Sequence, residues 1–492
     1  MEASLRRGNG RFLHLLRRAG RPYLSQGMGS GRMARRGLDL TADDVVRGLL
    51  ITGFLVMLAG AMPGHLSPDS ISQLHEGRMG TRETWGPAAY AAVLAAFDRV
   101  VPGTALYLVG SAFVLFASLL GLRGLRPKAS WAAVPVALLF LASPIILVFQ
   151  GVVWKDVLFA NLAIAGFFLL ARASVSWPAR RPPWIVLAGA LLALALAAQV
   201  RQNGVIVVPF AALALAWTVR GEGWRRSLIW GLGSLVAIMM ASHLIGVASQ
   251  PAKAGPDKAG GVGVRILQHY DIIGAAAHDP NLKLAVFNAA DPEAETVIRT
   301  RGVPIYTPVR IDYLDLDPAV GGVLWRQSDK VVAAQWLDIV LRHPGAYLAH
   351  RLEVFRWVFL TPKIDSCLPL FVGVEGPPDT LQKLEIPSGK DASDRALYNY
   401  GTWFLDGPLF SHLSYALVAI LTGGALLLRR DRADAAIIAL MAAALAFTAS
   451  FLAISIACDY RYLYFLDLAA MTGLLYLALD PPVAQVRRLL GR

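Results

Sequence analysis

The chain has 492 residues, of which 55% are hydrophobic and only 16% are charged, and its mean hydropathy is +0.50. Soluble domains carry about 25% charged residues, so this composition excludes an ordinary soluble protein. The net charge of +13 does not indicate a nucleic-acid-binding protein, because the Arg and Lys residues lie in short clusters between long apolar runs. Clusters of this kind are typical of the loops that orient a membrane protein.

The N-terminal 45 residues are basic and rich in Arg and Gly, and no apolar run precedes Asp44. We expect this segment to be disordered and to stay in the cytoplasm, because basic segments are retained on that side. The first apolar run, 46–62, is too long for the core of a signal peptide. It is therefore predicted to remain in the mature protein as a membrane anchor.

Nine further apolar runs follow, each close to the length that crosses a hydrocarbon core of about 30 Å. We therefore predict an all-α integral membrane protein with about ten transmembrane helices. The predicted spans are 46–62, 104–122, 131–149, 154–171, 184–199, 204–219, 227–248, 409–428, 434–456 and 460–478.

The basic clusters give the orientation of these spans. With the N-terminus in the cytoplasm and ten spans in alternation, every cluster between spans falls on the cytoplasmic side, as the positive-inside rule requires. The basic residues in question are Arg123, Arg126, Lys128, Arg172, Arg180, Arg181, Arg220, Arg225, Arg226, Arg429, Arg430, Arg432, Arg487, Arg488 and Arg492.

The chain is thus divided into five regions by its apolar runs and by one long polar stretch that is predicted to lie outside. A mixture of Asp, Tyr, Pro and Gly indicates that this stretch folds. The regions are the N-terminal segment 1–45, a transmembrane bundle at 46–248, the outer region 249–407, the last transmembrane helices at 408–480 and a cytoplasmic tail at 481–492.

Three amphipathic stretches are predicted to form helices outside the spans. In the outer region, 328–342 has helical periodicity, and Pro344 ends that helix because proline disrupts a helix interior. The following stretch, 345–360, carries a charge every few residues, which favours a helix lying in the membrane interface over one that crosses it. Residues 86–99 are interpreted as another short interfacial helix.

The chain contains two cysteines, Cys367 and Cys458, and both fall on the predicted outer side. Their spacing does not fit a zinc site. The sequence leaves two alternatives open, a disulfide between them or two unpaired thiols.

Four outer loops carry polar and aromatic residues at helix ends, where charges are costly unless they are paired or used. We expect these loops to build one shared site. A carboxylate can take a proton from an attacking hydroxyl, Lys and Arg can hold a phosphate, and aromatic faces can stack on a sugar. The residues in question are Asp69 and Trp85 in the first loop, Trp154, Lys155 and Asp156 in the second, Arg201 and Asn203 in the third, and Asp459, Tyr460 and Arg461 in the last.

The order of these groups resembles the GT-C superfamily of polytopic glycosyltransferases, which use polyprenyl-phosphate sugars. The resemblance extends from about residue 45 to 480. It rests on Pro68-Asp69-Ser70, Trp154-Lys155-Asp156-Val157, Arg201-Gln202-Asn203-Gly204, the segment from His343 to Leu348, and Asp459-Tyr460-Arg461-Tyr462.

The resemblance implies a role for each of these residues. Asp69 matches the first-loop acid that acts as catalytic base or positions the acceptor, and Asp156 matches a supporting acid in the second loop. Lys155, Arg201 and Arg461 are the candidates for binding the lipid phosphate. The candidates for binding the rest of the substrates are Trp85, Trp154, Asn203, Asp459 and Tyr460.

The activity implied is transfer of a sugar from a polyprenyl-phosphate donor to an envelope glycan, lipid or protein, with inversion, at the outer face of a bacterial cytoplasmic membrane. The chain departs from the family where many relatives have His-Pro-Pro, since it reads Trp85-Gly86-Pro87 there. It also lacks paired acids in the first loop. We therefore assign no metal ligand, although a requirement for a divalent cation is left open.

Two other functions are compatible with the sequence. A transporter or flippase of a lipid-linked sugar also needs polar groups within a bundle, although such proteins tend to bind at the bilayer midplane. An O-antigen ligase or polymerase also uses lipid-linked sugars but depends on Arg and His of a late loop. Loss of the Asp69 carboxylate would matter little in such an enzyme.

Overall fold

The computed structural model describes residues 40–177, 182–251, 259–483 and 485. Within these ranges the backbone is almost entirely helical, and β-structure is limited to isolated bridges. This confirms the predicted all-α class. The predictions for 1–39, for 486–492 and for the basic residues Arg180 and Arg181 lie outside the described residues.

The N-terminal half contains six long apolar helices and four shorter ones. Thr41 begins the first of them, since its side chain accepts the N–H of Asp44 while the Asp44 carboxylate accepts the N–H of Thr41. In chain order they are α1 (Ala42–Ala61), α2 (Pro68–Met79), α3 (Ala88–Asp98), α4 (Ala105–Leu122), α5 (Ala133–Ala142), α6 (Pro144–Leu147), α7 (Lys155–Ser176), α8 (Trp184–Val200), α9 (Val207–Val219) and α10 (Trp224–Ala248).

The described part of the outer region forms nine α-helices, and the first seven contribute to a hydrophobic core of its own, which includes Tyr270, Phe287, Ile339 and Val354. The last two pack against the core of the bundle through Leu381, Leu384 and Leu397. The prediction that this region folds is thereby confirmed. The helices are α11 (Ala259–His278), α12 (Ala285–Ala290), α13 (Ala294–Val297), α14 (Val303–Ile305), α15 (Pro318–Arg326), α16 (Asp329–Arg342), α17 (Pro344–Leu360), α18 (Pro378–Leu384) and α19 (Ala392–Thr402).

The predicted helices of the outer stretches agree with α16 and α17, and His343 separates the two because Pro344 begins the second. The predicted helix at 86–99 agrees with α3. Their placement at the membrane interface stays a prediction.

Three long helices complete the bundle: α20 (His412–Arg429), α21 (Asp434–Ile454) and α22 (Tyr464–Leu479). With α1, α4, α7, α9 and α10, and counting the helical turns that adjoin α4, α9 and α22, eight helices of the described chain are long and apolar enough to span a membrane. Helices α5 and α6 form a ninth candidate that is bent by 52°. The remaining predicted span is α8, whose 17 residues cover only about 26 Å.

The helices α7 and α22 occupy the centre of the bundle, since 83% of the apolar window in each is buried. Helices α1 and α10, of which 22% is buried, lie at its periphery and expose apolar side chains as lipid-facing helices do. The packing of α7 against α22 therefore defines the centre of the bundle.

Short backbone bridges join the loops on the predicted outer side. His65 pairs with Val152, Leu66 pairs with Val374, and Val374 pairs in turn with Gly389. Because these bridges fix the backbone just before α2 and just before α7, they set the relative position of the first two outer loops.

The segment between α21 and α22 is fastened to the outer region. Cys458 forms a disulfide with Cys367, with the two Cα atoms 4.7 Å apart, so of the two alternatives the structure has the bonded one. Arg351 is buried in α17 and donates to the carbonyl oxygen of Ser455 at 2.6 Å. An antiparallel backbone bridge also joins Arg310 to Ala457.

Candidate functional site

Asp69 lies in the first turn of α2. Ser67 caps this helix by accepting the N–H of Ser70, and Pro68 occupies a first-turn position where proline is tolerated. The Ser70 hydroxyl donates to the carbonyl oxygen of Val153 at 2.7 Å, and the indole of Trp154 donates to Ser67 at 2.9 Å. The turn that carries Asp69 is therefore attached to the residues immediately before α7.

Lys155 and Asp156 are the first two residues of α7. They directly follow Val153 and Trp154, which contact the start of α2. The Nζ of Lys155 lies 5.1 Å from the centre of the Trp85 ring, a cation–π distance. Asp156 is buried and pairs with Arg201. The second outer loop thus supplies Lys155, a cation that faces an aromatic ring, and Asp156, an acid whose charge is balanced by Arg201.

Arg201 follows α8 and is buried among aromatic rings. Its Nη1 pairs with Asp156, and its Nε donates to the Oδ1 of Asn203 at 3.0 Å. The guanidinium carbon lies 5.1 Å from the ring centre of Phe447 and 5.4 Å from that of Phe451. Burial of this charge is tolerable because the carboxylate and the ring faces replace the lost water.

Arg461 lies in the short helical turn Tyr460–Leu463 before α22 and contacts two carboxylates. Its Nη2 donates to Oδ2 of Asp69 at 2.7 Å, and its Nε donates to Oδ2 of Asp459 at 2.8 Å. The guanidinium carbon lies 4.8 Å from the centre of the Trp154 ring. Arg461 thus joins the first, second and last outer loops.

These contacts surround one open cavity of about 440 Å³. It has a polar side formed by the outer loops and an apolar side formed by α11 and the end of α21. The lining comprises Asp69, Arg82, Trp85, Gly86, Pro87, Lys155, Asp156, Arg201, Gln202, Asn203, Gly263, Val264, Leu267, Phe451, Ile454, Ile456, Arg461 and Tyr462.

The loop that carries Trp85 is held in place by a buried acid. The Oε1 of Glu76 accepts the backbone N–H of Glu83 at 2.8 Å and also that of Thr84. On the other side, the amide of Gln202 donates to the carbonyl oxygen of Trp85 at 3.3 Å. The ring of Trp85 is therefore positioned over Lys155 from both sides.

Three of the residues predicted for the site do not line the cavity. Trp154 and Asp459 lie behind Arg461 and contact it directly. Tyr460 points away: its ring stacks on His412 with 4.1 Å between centres, and its hydroxyl donates to the carbonyl oxygen of Leu409 at 3.4 Å. In this structure, Tyr460 is buried in the bundle, away from the cavity.

The cavity also contains residues that the sequence analysis did not select. Arg82 adds a further cation from the first outer loop, and its positive charge in that loop is a signal visible in the sequence. Val264 and Leu267 on α11, together with Ile454 and Ile456, form the apolar side. Nothing in the local sequence marks these apolar residues, because their role depends on how α11 packs above the bundle.

The charges around Asp69 govern its ionisation. Although 51% of its side chain is exposed, it is surrounded by protein on its other sides. Burial raises the pKa of the Asp69 carboxyl, but the positive charges of Arg461 and Lys155 outweigh this effect and hold the pKa below its ordinary value. Asp69 is therefore an anion at neutral pH, and its proton affinity is reduced as long as Arg461 stays paired with it.

In the described part of the chain, His, Cys, Asp and Glu side chains nowhere form a group of three that could hold a metal ion. The cavity acids Asp69 and Asp156 each pair with an arginine instead. The structure therefore names no ligands for the divalent cation that the sequence left open.

The arrangement combines a half-exposed carboxylate with several cations and aromatic faces. A carboxylate within reach of a substrate hydroxyl can accept its proton, and cations held at fixed positions stabilise a departing anion. The apolar wall next to them can accommodate hydrocarbon. Together these groups suit a reaction in which a phosphate leaves and a hydroxyl attacks.

No protein-family model and no curated protein matches the chain. Solved structures that resemble it include the archaeal oligosaccharyltransferase AglB from Archaeoglobus fulgidus in complex with an inhibitory peptide and a dolichol-phosphate. That match has 13% identity and a TM-score of 0.39, and it covers 90% of this chain and 51% of that one.

A second similar structure is the arabinosyltransferase EmbB from Mycobacterium smegmatis, with 16% identity and a TM-score of 0.33, covering 94% of this chain and 44% of that one. The chain thus spans about half the length of both. Both are sugar transferases by name, the class to which the sequence resemblance pointed. Scores of this size describe a general likeness between helical membrane proteins and carry no argument about activity.

Proposed function

We propose that the chain is a membrane glycosyltransferase that moves a sugar from a polyprenyl-phosphate donor to a hydroxyl of an envelope glycan, lipid or protein acceptor. The observation that carries the proposal is the cavity itself. It joins the Asp69 carboxylate to Lys155, Arg201 and Arg461, which come from three different loops. A base and a set of phosphate-binding cations are the two components that this reaction needs.

The apolar side of the cavity supports a lipid-linked donor over a soluble nucleotide sugar. Val264, Leu267, Ile454 and Ile456 line it, and Ile454 ends the spanning helix α21. A polyprenyl chain in the bilayer would pass along such a wall while its phosphate meets the cations. The positive-inside pattern supports an active site at the outer face of a bacterial cytoplasmic membrane.

The proposed reaction is a single displacement at the anomeric carbon. The acceptor oxygen forms a bond to this carbon while the bond from the carbon to the phosphate oxygen breaks. The electron pair of the broken bond stays on the phosphate, whose charge Lys155 and the arginines stabilise. Asp69 receives the acceptor proton. A single displacement inverts the configuration at the anomeric carbon, which carries positive charge in the transition state.

Each of the remaining residues has a supporting role in this scheme. Asp156 keeps Arg201 oriented, and Asn203 holds the same guanidinium from its other side. Trp85 covers Lys155 and offers a ring face to the sugar. Asp459 and Trp154 support Arg461. Tyr460, which is buried against His412 and Leu409, is assigned no substrate contact in this scheme.

The proposal is tested by incubating the purified full-length protein in lipid nanodiscs with labelled polyprenyl-phosphate sugars and an extract of envelope acceptors. We expect label to move to an acceptor with the wild type. Asp69→Asn should lower the rate by about 10²- to 10⁴-fold, the usual contribution of a general base. Asp379→Asn, an exposed acid on α18 outside the cavity, is the matched control and should keep the wild-type rate.

One outcome would contradict this function, and another would contradict only the role of Asp69. If the wild type carries labelled lipid across the bilayer without breaking the sugar–phosphate bond, the protein is a transporter. If Asp69→Asn transfers sugar as fast as Asp379→Asn, the enzyme class stands but Asp69 is not the base, as expected for a ligase that relies on other residues.

A further inference from the structure

The guanidinium of Arg461 is shared between two carboxylates that differ in origin. Asp459 lies two residues before it and also accepts its backbone N–H at 3.3 Å, so this carboxylate belongs to the same turn. Asp69 comes from α2, 392 positions away in the chain, and contacts only the Nη2 end. One partner is thus part of the support of Arg461, and the other contacts it directly from a different loop at the wall of the cavity.

The two carboxylates also differ in burial. The side chain of Asp459 is 10% exposed, whereas that of Asp69 is 51% exposed and lines the cavity. The backbone that carries Asp459 is fixed by the disulfide of its neighbour Cys458 and by the bond from Arg351 to Ser455. A ligand that enters the cavity can therefore reach the pair between Arg461 and Asp69 while the pair with Asp459 stays out of its way.

This geometry conflicts with the roles that the proposed function gives to both residues. A carboxylate that accepts a guanidinium N–H is less basic, so Asp69 is a poor proton acceptor while the pair lasts. The N–H of Arg461 Nη2 that Asp69 accepts cannot donate to a phosphate at the same time. Both limits are removed when a phosphate oxygen replaces Asp69 as the acceptor of that Nη2 N–H.

We propose that the contact between Arg461 and Asp69 is a resting contact that the phosphate of the donor displaces, with Asp459 as the positioning residue that keeps the guanidinium in place. The inference rests on the proposed function. As the donor binds, Nη2 moves from Oδ2 of Asp69 to a phosphate oxygen, and Nε stays with Asp459. The released Asp69 carboxylate is then free to take the acceptor proton, so the donor activates the base.

The test measures the binding of polyprenyl monophosphate, the lipid without its sugar, to the full-length protein in nanodiscs, with polyprenol as the control for the hydrocarbon alone. Because Asp69 competes with the phosphate for Nη2, Asp69→Asn should bind the lipid phosphate about two- to fivefold more tightly than the wild type, the range expected for one partly exposed ion pair. Unchanged or weaker binding by Asp69→Asn overturns the exchange.

Removal of any nearby negative charge also strengthens anion binding, so two further variants separate this effect from the exchange. In an Arg461→Gln background, the gain from Asp69→Asn should disappear, as a double-mutant cycle reports when the effect of one residue acts through the other. A gain of the same size in that background means simple repulsion and overturns the proposal.

Asp459→Asn should change the binding of the lipid phosphate in the opposite direction from Asp69→Asn. It also removes a negative charge, yet it should weaken binding of the lipid phosphate by about two- to fivefold because Arg461 loses its support. Tighter binding by this variant rules out the positioning role. If the wild type binds the lipid phosphate no better than polyprenol, the proposed function and the exchange both fail. If the wild type binds it and transfers sugar while Asp69→Asn binds no more tightly, only the exchange fails.

Discussion

Arg351 and Arg461 each pair with aspartate, but they lie in surroundings of different kinds. Arg351 is 1% exposed in the core of the outer region, where it contacts the fully buried Asp271. Arg461 is 15% exposed and contacts Asp69, whose side chain is half exposed and lines the cavity. The same pair of residue types therefore serves the fold where water and ligands are excluded, and is available for exchange where they can enter.

Around Asp271 every neighbour is part of the packed core. His350 lies 3.1 Å from its Oδ1, the indole of Trp336 donates to its Oδ2 at 2.7 Å, and Tyr306 bonds to His350 in turn. The side chains of Asp271, His350 and Arg351 are at most 1% exposed, so this cluster is closed to solvent. The cavity, in contrast, leaves open space next to Lys155, Asp69 and Arg461. The comparison shows that a charged cluster becomes a candidate site only where it borders on space.

The largest effect that we expect from this comparison is on stability. Arg351→Met leaves the Asp271 charge buried without its main partner, which should lower the free energy of unfolding by about 3–5 kcal/mol. Thermal unfolding of the protein in lipid nanodiscs measures this. Arg356→Met removes an exposed arginine from the same helix α17 and is the control. Equal unfolding temperatures for the two variants would show that the pair between Arg351 and Asp271 is not a main support of the outer region.

The next effect is on activity alone. Arg461→Gln removes a charged donor from the departing phosphate and should lower the rate of sugar transfer by about 10²- to 10³-fold. Its unfolding temperature should stay much closer to that of the wild type than that of Arg351→Met does. Loss of stability comparable to that of Arg351→Met would mean that Arg461, like Arg351, mainly stabilises the fold.

A smaller effect is expected at the aromatic cover of Lys155. Trp85→Ala removes a cation–π contact worth about 0.5–1 kcal/mol, which should weaken donor binding about two- to fivefold. The measurement is the KM for the labelled donor. Trp403→Ala, which alters a tryptophan that is 82% exposed and lies outside the cavity, is the control. If both variants have the same KM, Trp85 does not take part in holding the donor.

The smallest effect is a shift in pH dependence. The pKa of Asp69 is lowered in the folded protein, so its carboxylate persists as pH falls below the ordinary value of about 3.9 and is lost only through the lowered pKa. Arg461 and Lys155 cause the lowering, and the other charged groups around the cavity are Arg82, Asp156, Arg201 and Asp459.

The acid limb of kcat/KM for the donor should therefore lie below about pH 4 in the wild type. In Arg461→Gln, the residual activity should show an acid limb at higher pH, because the guanidinium no longer favours the charged form of Asp69. The measurement is the rate of transfer at low donor concentration across the acid range. Coincident acid limbs would mean that Arg461 does not control the ionisation of Asp69.

The local sequence identified residues that line the cavity, but it did not identify the residues with which they pair. Asp69, Lys155, Arg201 and Arg461 stand at helix ends on one predicted side, and all four line the cavity. Tyr460 does not, because consecutive residues of a turn with about three residues per turn point roughly 120° apart. Arg461 therefore faces the cavity while Tyr460 faces His412, a difference that residue type cannot reveal.

The sequence by itself determined the class of the protein, since long apolar runs must satisfy their backbone polar groups within helices and short basic clusters orient the runs. It also determined the break at Pro344. Only the tertiary structure decided that Cys367 bonds to Cys458, that Arg201 pairs with Asp156, and that α11 supplies the apolar wall of the cavity. These contacts join residues far apart in the chain, and their energies depend on burial and distance, which are properties of the folded molecule and not of any local segment.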